Sequence, residues 1–532
     1  MTSCNRRLSA AAFAAALAVT AGTAASAETV YHRGNTGEPE TLDQHLTSTV
    51  YEAHILRDLY HGLTAHDAEA EVVPGAAESW EISDDGLTYT FQLREDGRWS
   101  NGDPVVANDF VYSYQRILNP ETGAEYANIL YPVKNAEAIN TGEISDLDQL
   151  GVKAIDERTV EITLEAPTPY FLELLTHQTS LPVHPASVEQ HGAEFVRPGN
   201  MVSNGAYMLD EVMINAHIRM VKNPHFYDAE NVAIDTVYFY PTEDRSSALR
   251  RFQAGELHSN NDVPFEQIPW MQENMPDEFR SAPYLGTYYY TVNMTKPPFD
   301  DVRVRRALSL AIDREFLAEE IMGGTFLPAY SFVPPGMNNY DEPAYADFRD
   351  LSMLDREDEA ADLLAEAGYG PDNPLRLEIR FNTSENHQQI AVAIADMWKP
   401  LGIETSLFNS DVATHYAHLR DGGDYDVARA GWIADYSDPQ NFLFMVESDN
   451  DGFNYARYDN PEYDALMDQA AATTDLKERA DILYRAEEIF MRDLPFLPLL
   501  TYASSNLVST KLQGWVDNVQ DVHPTRYMSI AE

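Results

Sequence analysis

The only cysteine in this chain is Cys4, and it stands ahead of an apolar run, Leu8 to Ala21. Arg6 and Arg7 precede that run, and Ala25, Ser26 and Ala27 follow it as an A-x-A-like cleavage site, which reads as a secretory signal peptide over residues 1–27. The run is shorter than the ~20 apolar residues a membrane-spanning helix needs. Cleavage starts the mature chain at Glu28. Cys4 lies before the apolar run rather than just after it, so it is not placed to carry the lipid of a lipoprotein. The mature chain then has no cysteine, which removes disulfides, thiolate metal sites and thiol nucleophiles together. An exported chain of this kind must be held by core burial alone, and 532 residues before processing are enough to do it.

No second long apolar run follows, so the expected product is soluble beyond the inner membrane. Its charge narrows the partners. Asp and Glu number 86 against 36 Lys and Arg, a formal charge of −50. Loss of Arg6 and Arg7 takes that to −52. Such a polyanion repels phosphate backbones and anionic headgroups, which excludes nucleic acid and membrane surfaces and favours neutral, zwitterionic or cationic ligands. Only seven of the basic residues are lysine, a composition suited to a salty habitat.

Patterning along the chain is mixed α/β. Ile55, Leu56 and Leu59 have helical spacing within residues 51–59. Leu87, Tyr89, Phe91 and Leu93 alternate as in a half-buried strand after the turn Asp85-Gly86, and within 154–164 Val160, Ile162 and Leu164 repeat the pattern after the turn residues Asp156-Glu157-Arg158. Further strands are expected at 237–240 and 288–292. From Asp301 helices dominate, with Gly368 as a C-terminal cap, a helix over 386–398 ended by Pro400, and two more over 461–472 and 476–491. Residues 426–432 read as a buried strand, and 494–500 as a Pro-rich one. There is no internal repeat and no long linker, so the domains are expected to interweave.

Catalytic templates are largely missing: no G-x-S-x-G elbow, H-E-x-x-H helix, P-loop or G-x-G-x-x-G turn occurs. With 86 carboxylates, acid pairs exist at any spacing, so an acid-pair hydrolase stays open without being favoured. The fifteen histidines are scattered rather than clustered as metal ligands, and no cofactor is expected. One stretch stands apart: Arg429, Trp432 and Asp435 are three residues apart where an apolar strand runs into a loop. If the chain turns after Gly431 they converge on a cleft. A strand-end salt bridge around a core Trp fits the same pattern.

Several segments carry a resemblance: GEPETLDQH (Gly37 to His45), AAESWEISDDGLTYTFQLRED (Ala76 to Asp96), WSNGDPVVANDFVYSYQR (Trp99 to Arg116), NGAY (Asn204 to Tyr207), TYYYTVN, KPPFDDVRVRRAL, RFNTSENH, and ARAGWIADYSDP (Ala428 to Pro439). Together they make the chain, from about Thr29 onward, resemble the periplasmic oligopeptide-binding proteins of ABC peptide importers, the family 5 extracellular solute-binding proteins. The resemblance implies a two-lobed periplasmic-binding-protein fold of cluster C type, α/β, with a hinge and an extra inserted domain. It places lobe I in residues 28–59, 185–285 and 502–532, the insert in 60–184 and lobe II in 286–501. It also implies a monomeric, non-catalytic periplasmic receptor that encloses a short peptide between its lobes and hands it to membrane permease subunits.

In such proteins the peptide lies extended and pairs its backbone with protein strands, while side chains enter wet, adaptable pockets. The resemblance assigns the peptide's α-ammonium to Asp435 and its carboxylate to Arg429, with Arg420 and His387 serving ligands of other lengths. Trp432, beside Gly431, walls the ligand backbone, and Tyr126 and Asn382 line the cleft. Met322 stands where enterobacterial members have a carboxylate-holding lysine, Ala413 where they have a pocket tryptophan, and Ser48 where they have a pocket glutamate. Gly286 and Ile433 replace a cross-cleft disulfide pair. A murein (cell-wall) peptide receptor shares the fold and the ammonium-anchoring aspartate, and is the alternative within the class.

Overall fold

The computed structural model describes Met1 and residues 28–531 except 451, so the signal-peptide reading and Cys4 lie outside the described residues. β1 (Val30–Asn35) leads to α1 (Val50–Leu59). Glu52 starts that helix by accepting from the Thr49 backbone N–H at 3.1 Å and from the Thr49 hydroxyl, a reciprocal cap. Its Ile55, Leu56 and Leu59 are buried as their spacing predicts.

β2 (Ala77–Ile82), β3 (Thr88–Leu93), β4 (Val152–Ala154) and β5 (Thr159–Thr163) form an antiparallel sheet in the order β2-β3-β5-β4. Tyr89, Phe91 and Leu93 point into the core. The stretch 154–164 turns at Asp156-Glu157-Arg158 as its residues predict: Asp156 accepts from Arg158 N at 2.8 Å and from Thr159 Oγ1 at 3.0 Å, and β4 and β5 pair across the turn. α2 (Phe171–Leu174) closes this segment.

The chain then builds β6 (Tyr207–Met213), β7 (His217–Lys222), β8 (Thr236–Tyr240), β9 (Ser259–Asn261) and the long β10 (Phe279–Val292). Beyond α3 (Val302–Leu310) and α4 (Met353–Glu366) come β11 (Leu375–Asn382), α5 (Glu385–Trp398), β12 (Ile403–Ser410), α6 (Val412–Arg420) and β13 (Val427–Ile433). α7 (Pro461–Ala472), capped by Asn460, and α8 (Leu476–Asp493), capped by Asp475, precede β14 (Phe496–Val508). One sheet runs β12-β11-β13-β10-β14-β9-β1-β8-β7-β6.

Burial divides along that sheet. One hydrophobic core gathers residues from Leu285 to Leu500, and another gathers Tyr31 to Phe239 with Val508 to Met528. A smaller cluster from Leu249 to Leu507 adjoins the crossing strands. β10 and β14 pass from one side to the other as an antiparallel pair. Their register breaks between Pro283 and Thr287, where Tyr284, Leu285 and Gly286 oppose Tyr502 alone. The break falls where these two strands pass between the two cores, the point on the pair least held by ladder hydrogen bonds.

Candidate functional site

Arg429 sits on β13, 8 % exposed. Its Nη1 donates to Asn382 Oδ1 at 3.1 Å and to the Tyr416 hydroxyl at 2.9 Å, and its Nη2 donates to the Tyr502 hydroxyl at 3.1 Å. Its guanidinium carbon lies 4.7 Å from the ring centroid of Tyr288. Its Nε has no partner, and among the described residues no carboxylate pairs with it. Burial works against the charge, but Tyr502, Tyr416 and Tyr288 outweigh it and hold the guanidinium above its ordinary pKa. This is a buried cation set in neutral dipoles, an arrangement that awaits an anion.

His387, near the start of α5, shares Tyr288 with Arg429: its Nδ1 lies 3.2 Å from the Tyr288 hydroxyl. Burial, with Arg429 and His415 alongside, pushes His387 down to about 3, so it is neutral at physiological pH. His415 Nε2 lies 2.8 Å from the carbonyl oxygen of Arg429 and steadies that stretch of strand. Gly431 lets the Tyr502 hydroxyl come close, since a Cβ there would lie 2.7 Å from that oxygen. Arg420 stands at the exposed end of α6 beside Tyr455, whose ring is 6.3 Å from Tyr416.

At the other end of β13, Asn441 Oδ1 accepts from Trp432 Nε1 at 3.0 Å and from Asp435 N at 3.1 Å. One side chain thereby fixes both residues. Trp432 packs edge-on against Phe453 with ring centroids 4.9 Å apart. Asp435 is half-buried, and burial alone pushes its carboxyl up to about 6. No cation pairs with it among the described residues. Its charge reaches Tyr126, whose phenol is raised by burial and then by Asp435, and which stacks on His177 at 5.3 Å.

Between these ends the backbone offers an edge. β13 pairs with β10 along its whole length, but with β11 only at Val427 and Ala428. From Arg429 onward the second edge of the strand has no strand partner among the described residues, and an extended chain can add there.

The structure thus gathers Arg429, Asn382, His387 and Gly431 at one end and Trp432, Asp435 and Tyr126 at the other, with Arg420 at the margin. The strand-end salt bridge that composition allowed is absent, since Arg429 and Asp435 pair with neither each other nor another charge. Sequence reasoning missed Tyr288, Tyr416, Tyr502 and Asn441. The run Tyr288–Tyr290 was visible, but only the fold shows which ring turns to Arg429. Gly286 and Ile433 are register partners within one sheet, not residues on opposite sides of the cleft. Met322 is buried within the core that gathers Leu285 to Leu500, and Ser48 is exposed with its N–H on Glu52 at 3.1 Å.

Comparison with known proteins follows the same lines. The family described as bacterial extracellular solute-binding proteins, family 5 Middle, matches residues 71–454. The periplasmic murein peptide-binding protein MppA of Escherichia coli (strain K12) is 37% identical over 536 residues, covering 100% of this chain and 99% of that one. The periplasmic oligopeptide-binding protein OppA of Salmonella typhimurium is 38% identical over 514 residues, covering 96% and 93%. Among solved structures, MppA in its unliganded open form superposes with a TM-score of 0.88 at 37% identity over 95% of this chain and 98% of that one. Haemophilus influenzae OppA in complex with the peptide RPPGFSPFR gives 0.75, at 37% identity, over 95% and 100%. At equal identity, the unliganded open form of MppA gives the higher TM-score of the two. Among the described residues no helix is long and apolar enough to cross a membrane.

Proposed function

The chain belongs to the bacterial extracellular solute-binding proteins of family 5, and from that premise we propose that it captures short peptides by both termini and delivers them to an ABC permease. One observation carries this reading. A buried cation without an anion and a half-buried anion without a cation stand at the two ends of a strand edge free to pair. A zwitterionic peptide lying along β13 supplies both missing charges and the missing hydrogen bonds.

On this reading Asp435 takes the α-ammonium and Arg429 the carboxylate, with His387 and Arg420 reaching carboxylates of ligands of other lengths. Asn382 and the tyrosines aim the guanidinium, Gly431 and Trp432 flank the ligand backbone, and Tyr126 closes on the ammonium end. The lobes are 28–59 with 185–285 and 502–532, and 286–501, with 60–184 as the insert; the register break at Pro283–Thr287 and the two separate cores support the division between lobe II and the rest. The receptor acts as a periplasmic monomer and performs no chemistry on its ligand.

Calorimetry with tri- to pentapeptides tests this, each with free ends, with an acetylated N-terminus and with an amidated C-terminus. Each blocked end removes one charge-assisted hydrogen bond and weakens binding by about tenfold or more. Equal affinity for all three forms refutes the reading. Murein tripeptide in the same series separates cell-wall from general peptides, and recovery of intact peptide by mass spectrometry separates a receptor from a hydrolase.

A further inference from the structure

Tyr436, the residue after Asp435, lies flat on Tyr170: the ring centroids are 4.9 Å apart and the planes differ by 4°. Tyr170 stands immediately before α2, within the segment assigned to the insert. Tyr436 leaves its own half of the chain to pack against the core that gathers Tyr31 to Phe239. Two further ties run beside this stack. Arg479 of α8 holds Asp438 through two hydrogen bonds of 2.7 Å, and its guanidinium carbon lies 5.4 Å from the Tyr170 ring centroid. Asn338 donates from Nδ2 to Glu173 Oε1 at 2.5 Å and from its backbone N–H to Ser437 Oγ at 3.0 Å. Residues 436, 437 and 438 are therefore each connected, directly or through one partner, to Tyr170 or Glu173.

The loop they belong to is internally stiff. The Tyr436 hydroxyl donates to Gln440 Oε1 at 2.6 Å, Gln440 N donates to Asp438 Oδ1 at 2.9 Å, and Asn441 holds the backbone of Asp435. Among the described residues the Asp435 carboxylate itself has no hydrogen-bond or ion-pair partner, so its position comes from this loop. A charge-assisted hydrogen bond is sensitive to errors of a few tenths of an ångström in donor and acceptor placement.

We propose that Tyr170 is a positioning residue for the ammonium anchor: by stacking on Tyr436, the inserted segment fixes the loop that carries Asp435, and N-terminal recognition depends on a residue outside both lobes. This rests on Asp435 being that anchor. It gives the insert a part in ligand recognition beyond bulk.

The test measures tri-alanine and Nα-acetyl-tri-alanine by calorimetry on the full mature protein and on Tyr170→Leu, Tyr170→Phe and Tyr436→Leu, each first checked for a native unfolding transition. Tyr170→Leu is expected to weaken the free peptide about three- to tenfold, the range of one aromatic pair, and to leave the acetylated peptide unchanged. Tyr170→Phe keeps the stack and restores the ratio. Tyr436→Leu removes the same stack from the other side together with the hydroxyl tie to Gln440, and gives a loss at least as large. Equal weakening of both peptides, or no change in either, overturns the positioning role while leaving the anchor intact. A wild-type protein that does not distinguish the two peptides overturns the anchor itself and the inference with it.

Discussion

The Tyr502 hydroxyl accepts from Arg429 Nη2 at 3.1 Å, and Tyr502 is the single β14 residue facing the register break of β10. The cation that would receive a ligand carboxylate is thus bonded to the point where the two cores join. On the proposed reading, carboxylate binding and lobe closure therefore share Tyr502.

Tyr502→Phe isolates that bond. The ring stays and only the acceptor is lost, so the fold is unaffected while Arg429 loses one of its three hydroxyl or amide partners. Affinity for peptides with a free C-terminus is expected to fall about three- to tenfold, and affinity for amidated peptides to stay as it was. Equal affinities for the free acid in variant and wild type would remove Tyr502 from the site.

Gly431→Ala tests the same contact from the other side without touching a polar group. The added methyl would lie 2.7 Å from the Tyr502 oxygen and 3.1 Å from Arg429 Nη2, and the rigid phenol can yield only by moving its whole ring. A comparable loss on free-acid peptides is expected in calorimetry, with an unfolding midpoint close to wild type because Gly431 already has ordinary strand geometry.

Arg479 and Asp438 are each 2 % exposed at the side chain, and removing one partner leaves the other charge buried and unpaired. Such losses cost about 3–5 kcal/mol. Arg479→Met should therefore lower the urea midpoint markedly, and adding Asp438→Asn should recover most of the difference. If the single variant unfolds at the wild-type midpoint, the pair is not structurally important.

These side chains show where sequence reading stops. Periodicity placed α1, α5 and α7 within a residue or two, because amphipathic spacing and caps such as Asn460-Pro461 are local signals. The full length of one central strand was not visible in its pattern: β10 extends from Phe279, well before the expected 288, because its first half pairs with residues more than two hundred positions away. Arg429 and Asp435 were readable as a charged motif after a strand. Their lack of partners was not, since only the packed structure shows that Tyr288, Tyr416 and Tyr502 rather than any acid surround the cation. Nor could the sequence tell that Tyr170 would meet Tyr436.

Asp435 gives the sharpest prediction, because its carboxyl titrates at about 6 rather than at the ~3.9 of an exposed aspartate. Between those values the folded protein holds a proton that the unfolded chain has released, so this group makes stability fall as pH rises from about 4 to 6. By pH 7 the penalty is roughly 1–3 kcal/mol, allowing for partial solvent access. Asp435→Asn should therefore raise the unfolding midpoint at pH 7 and leave it nearly unchanged at pH 4. Peptide binding runs the other way. Only the ionised carboxylate pairs with an ammonium, so affinity for tri-alanine should rise by up to about tenfold per pH unit below 6 and level off above 7. Calorimetry from pH 4.5 to 7.5 in buffers of differing ionisation enthalpy reads the proton released on binding. Asp435→Asn and Nα-acetyl-tri-alanine should each abolish both the slope and the release. A wild-type profile that is flat across this range would mean that the anchoring carboxylate is not Asp435.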